Sequence, residues 1–96
     1  MAIADQVRIG ISLPQAFPEG PAEPEMIVRF AQRAEVLGYD SLWVQDRLMG
    51  QATWLEPLNL LSFVAAATFT IRLGVATLPL PCHNPVRLAK SLVTLD

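Results

Sequence analysis

The sequence predicts an α/β chain in which parallel strands alternate with helices. Two observations carry this. Three short apolar segments, residues 7–13, 41–45 and 71–77, are each followed by a polar or proline-bearing loop and then by a helical pattern. Each helical pattern also opens on the same chemistry, an acidic or amide residue before a proline: Glu23-Pro24, Glu56-Pro57 and Asn84-Pro85. Such alternation implies right-handed crossovers, which bring the ends of all three strands and the loops after them to one face. In folds of this kind that face holds the chemistry.

The strands are rich in Val, Ile and Leu without strict polar alternation, as expected when both faces are covered or when one face fills a closed barrel. Trp43 is therefore expected in the core. Gly10 and Gly74 fall in mid-strand, where they weaken pairing unless something approaches the backbone closely. In the first helix Ile27, Phe30, Ala31, Ala34 and Leu37 form one apolar stripe, with Arg29, Gln32, Arg33 and Glu35 on the other side. Pro24 suits its first turn and Gly38 its stop. The second helix is expected from Pro57 to about Thr68, apolar nearly all round and wedged between the sheet and neighbouring helices. The third begins at Pro85 with Asn84 as cap, and Leu88, Leu92 and Leu95 face inward. Residues 14–24 read as a loop. Periodicity alone leaves the closed barrel and the open doubly wound sheet equally open.

Composition narrows the function classes. With 52% apolar and 17% charged residues, the chain is neither disordered nor fibrous. A net charge of −2 without a basic cluster speaks against nucleic acid as a partner. One cysteine forms no internal disulfide, and one histidine with one cysteine gives no metal-ligand set. The longest apolar stretch, residues 60–69, is far shorter than the roughly 20 residues of a membrane span. Residues 1–6 lack both a cationic start and an apolar signal core, so a cytoplasmic location is expected.

The loops that follow the strands bring together Gln15, then Gln45, Asp46 and Arg47, then Thr77 through His83. These are polar where the strands are not. One reading makes them part of a ligand pocket; the plainer one is that loops are polar because they are wet. Cys82 and His83 suggest a nucleophile and base, but sequence neighbours seldom face each other, so the dyad is set aside. Trp54, in a loop near this face, is a pocket candidate. The first strand–helix turn, residues 13–20, carries no G-x-G-x-x-G fingerprint and no phosphate loop, so nucleotide binding of either kind loses its strongest support.

Five stretches taken in order, residues 10–15, 34–47, 56–68, 71–74 and 84–86, resemble the luciferase-like monooxygenase family. Its members are (β/α)8 barrels that bind FMN or the deazaflavin F420 at the C-terminal strand ends, and many work as dimers. The resemblance thus implies a flavin- or F420-dependent oxidoreductase or monooxygenase acting on a small organic molecule, with a homodimer as the assembly. By position, Val75, Ala76 and Thr77 fall where the family often has a non-proline cis peptide beneath the ring. Asp46 falls at an acidic position beside flavin or substrate, and Gln15 is a lesser contact. Arg47 departs from relatives that often carry histidine there as a proton donor or stabiliser of the reduced cofactor; arginine cannot usefully exchange a proton near neutral pH, though it can hold an anionic ring or substrate. The catalytic pair implied is Asp46 with Arg47; the cofactor contacts are Gln15, Val75, Ala76 and Thr77.

A barrel of this type takes about 250 residues. Residues 1–96 are thus expected to be the N-terminal three of eight strand–helix units, one incomplete domain and by itself inactive. The rival expectation is a catalytically inert polypeptide that self-associates or docks on a partner. A non-flavin barrel enzyme that handles phosphates is a third.

Overall fold

The computed structural model describes residues 7–18, 20–47 and 53–96. The elements run β1 (Gly10–Ser12), β2 (Ala16–Phe17), α1 (Pro24–Leu37), β3 (Ser41–Val44), β4 (Thr53–Trp54), α2 (Pro57–Ala65), β5 (Arg72–Val75), a 3₁₀ turn (Leu80–Cys82) and α3 (Pro85–Leu95). β1, β3 and β5 form one parallel sheet in that order, with Ile11 opposite Leu42 and Leu42 opposite Leu73. This is the α/β architecture that the strand–helix alternation predicts, and it is consistent with part of a barrel wall. The segment read for an export signal, residues 1–6, lies outside the described residues. No described helix is long and apolar enough to cross a membrane.

One face of the sheet is packed. Leu13, Leu42 and Val44 are buried against Ile27, Ala31 and Ala34 of α1 and Leu60, Leu61 and Val64 of α2, with Ile11, Leu73 and Val75 packed partly against them. Sequential strand order with crossovers of one hand puts the helices on this same side. The opposite face carries Ser12, Trp43, Arg72 and Gly74. Trp43 is 40% exposed, so it is not the core side chain expected from its place on a strand.

The glycines explain where the indole lies instead. A Cβ built at Gly74 would lie 2.6 Å from the Trp43 ring, and one at Gly10 would collide with its Nε1 edge. The ring thus lies flat across the neighbouring strands, and its Nε1–H donates to Ser41 Oγ at 2.8 Å. Both glycines are required by close approach of a side chain of the chain itself.

Helix boundaries follow local chemistry. α1 ends on Gly38 at φ 90°, where the Gly38 N–H reaches Glu35 O and the Tyr39 N–H reaches Ala34 O, the paired bonds of a Schellman stop. Leu37, placed in the apolar stripe by its spacing, is exposed because it sits in that last turn. α2 is capped by Glu56, whose carboxylate accepts from the Asn59 N–H at 2.6 Å. It stops at Ala65 rather than Thr68: Gln32 of α1 donates to Ala67 O, and the Thr68 hydroxyl donates back to Val64 O. Nor is α2 covered all round, since Phe63 is exposed. In α3, Asn84 Oδ1 accepts from the Val86 and Arg87 N–H groups. Leu88 is buried and Leu95 packs on the core, whereas Leu92 is half exposed.

A second sheet was not anticipated. β2 and β4 pair antiparallel, Ala16 with Trp54 and Phe17 with Thr53, and so join the loops that follow β1 and β3. Each contributes only two residues, too few for a periodic signal.

Candidate functional site

The parallel ladder between β3 and β5 continues past the strands. Ala76 N–H donates to Val44 O at 2.9 Å, and Asp46 N–H then donates to Thr77 O at 3.2 Å. The segment after the second strand is thereby fastened to the segment after the third. The Ala76–Thr77 peptide between them is cis, in the stretch where the resemblance placed such a bond. Ala76 and Thr77 are both exposed, so this end of β5 presents a small-residue backbone surface.

Asp46 and Arg47 are adjacent but part company. The Asp46 side chain is 6% exposed, and its Oδ2 lies 2.8 Å from His83 Nε2, whose side chain is 20% exposed. Arg47 turns to Trp54, its guanidinium carbon 5.2 Å from the ring centroid, a cation–π contact. Trp54 Nε1–H donates to Gln45 O at 3.2 Å, so the aromatic platform is itself anchored to the loop that carries Arg47.

Gln15 is 5% exposed and acts as a brace. Its Oε1 accepts from the Gln45 N–H at 2.7 Å, and its Nε2 donates to Gln45 O at 2.8 Å and Leu55 O at 3.3 Å. Leu55 N–H returns a bond to Gln15 O at 3.0 Å. One amide thus joins the loop after β1 to the loops on either side of β4. Both of its donor hydrogens are engaged within the chain.

Of the residues singled out from sequence, Asp46, Thr77 and His83 are brought into one cluster, with Arg47 and Trp54 on its flank and Gln15 bonded to the neighbouring Gln45. His83 was set aside when weighed only against Cys82. Its partner is Asp46, 37 residues away. The signal available was topological: both lie in loops collected at one sheet end.

The profile of the luciferase-like monooxygenase family matches residues 7–96. The chain belongs to this family. It is 33% identical over 80 residues to the F420-dependent glucose-6-phosphate dehydrogenase of Amycolatopsis mediterranei (strain U-32), covering 76% of this chain and 23% of that protein. It is 31% identical over 96 residues to the 4-hydroxyprotoasukamycin monooxygenase of Streptomyces nodosus subsp. asukaensis, covering 96% of this chain and 26% of that one. The chain thus spans about a quarter of the length of these relatives.

Proposed function

We propose that this chain supplies three strand–helix units of a (β/α)8 flavin- or F420-dependent oxidoreductase, including one wall of its cofactor pocket. The observation that carries the reading is the junction at the C-terminal sheet end, where Asp46 bonds Thr77 through its backbone and His83 through its side chain. Family membership supplies the cofactor class, and a relative that uses F420 supports it.

The residues present fit a flat, partly anionic ring. Ala76 and Thr77 offer an exposed backbone surface with small side chains. Arg47 brings a permanent positive charge that can hold an anionic ring or substrate. Val75 packs partly into the core and fixes the end of β5 beneath that surface. Gln15, buried in the loop junction, keeps the surrounding loops in place. When bound, the flavin or deazaflavin supplies hydride or oxygen chemistry; the protein orients it and limits water.

Fluorescence titration of FMN and F420 with the purified chain tests this. Saturable quenching of one of them, weakened about tenfold or more by Arg47→Glu, is the expected result. No quenching of either, or an equal response from the variant, would sink the reading.

A further inference from the structure

We propose that His83, oriented by Asp46, is the proton-exchanging residue of this site, in the role that Arg47 cannot fill. The inference rests on the cofactor reading above and deepens it.

The argument begins with the carboxylate. Asp46 is nearly buried, and among the described residues its side chain has one hydrogen-bond partner, His83 Nε2 at 2.8 Å. A carboxylate accepts, so Nε2 carries the proton in the neutral ring and Nδ1 is left as a lone-pair acceptor. If Nδ1 takes a proton, the imidazolium is held against a negative partner already in contact. This is how an Asp–His pair supports proton transfer, the carboxylate orienting the ring and stabilising its charged form. Asp46 is then a positioning residue, and His83 is the group that exchanges.

Placement supports the assignment. Asp46 also donates its backbone N–H to Thr77 O, so the pair is tied to the surface proposed to receive the ring. The charged and titratable groups of the two segments meeting here are Asp46 and Arg47 on one and Cys82 and His83 on the other. Arginine does not usefully exchange a proton near neutral pH, and the Arg47 guanidinium lies over Trp54. When an oxidised flavin or deazaflavin takes hydride from a hydroxyl-bearing carbon, the hydroxyl O–H must also break and its proton needs an acceptor. With a cofactor and a hydroxyl-bearing substrate bound, Nδ1 of His83 would accept that proton and would return it in the reverse direction.

The chain holds one histidine, which makes the test specific. Diethyl pyrocarbonate modifies an unprotonated imidazole nitrogen and is read at the histidine absorbance band. The folded chain should react, through Nδ1, at a rate within about tenfold of the urea-unfolded chain, and bound cofactor should slow it. In parallel, carbethoxylation of the histidine should weaken binding of reduced F420 about tenfold, and hydroxylamine, which removes the group from imidazole, should restore it. His83→Gln should abolish that response to the reagent, Asp46→Asn should weaken it, and Cys82→Ser should leave it as in the wild type.

An inert histidine in the folded chain, or an unchanged response to the reagent in His83→Gln, overturns the assignment while leaving the cofactor reading intact. A reactive histidine in a chain that binds neither FMN nor F420 overturns the cofactor reading and this role with it, leaving only an accessible base beside Asp46.

Discussion

The side-chain amide of Gln15 takes the place of a backbone peptide, meeting both the N–H and the C=O of Gln45 as a neighbouring strand would. Removing it leaves the Gln45 N–H and Leu55 O without this buried partner, while Gln45 O keeps the Trp54 Nε1–H. Gln15→Ala should therefore cost about 2–3 kcal/mol, read as a lower urea midpoint at unchanged slope. The Trp43 indole makes an equally specific demand on its neighbour. Gly74→Val puts methyl groups where the ring lies, 2.6 Å from the position of the first added carbon. The expected loss is about 1–3 kcal/mol, with Trp43 displaced from the sheet and its emission shifted to the red. Neither residue's role was legible in the sequence. A buried glutamine and a wet one are written alike, and the small face beneath Trp43 appears only when three strands, separated by whole helices, are set side by side.

At the scale of elements, the starts of the helices were readable and some of their ends were not. Proline after an acidic or amide residue marks a first turn by local sterics and capping, and all three helices begin at that proline. The end of α2 depends on α1. Glu35 of α1 accepts the N–H groups of Phe69, Thr70 and Ile71 through one carboxylate oxygen, at 2.8, 2.7 and 3.0 Å. Gln32 takes the preceding carbonyl, at Ala67. These contacts outweigh the helix propensity of the three alanines. They also hold the Glu35 carboxyl below its ordinary value of 4.5, first through the Thr70 N–H and then through those of Ile71 and Phe69. A depressed folded value contributes stability above the unfolded one and loses it as pH falls through the folded one. Glu35→Gln should thus lower stability at neutral pH by about 1 kcal/mol, a modest figure because solvent reaches the carboxylate. The gap should narrow as pH falls below 4.5, which urea unfolding at neutral and at acid pH would show.

For the molecule as a whole, alternation of strand and helix was enough to give a parallel sheet with its loops gathered at one end. It could not separate a barrel wall from half of a doubly wound sheet, because three strands in sequential order occur in both. The candidate site was legible to the same depth. Asp46 and Thr77 meet because consecutive parallel strands must bring their ends together. His83 was missed because its contact arises between loops and follows from no local pattern. The two mid-strand glycines, read as places of close backbone approach, serve an indole of the chain itself. In the ladder that runs on from Val44–Ala76 to Asp46–Thr77, each rung is also a spacing. If β5 slipped by one residue along β3, Thr77 would move about 3.3 Å and every side chain beyond it would turn to the opposite face. The register of two short strands is therefore the ruler by which a carboxylate, an imidazole and an exposed peptide are set apart. A substitution far down the sheet can mis-set that ruler without touching any of them.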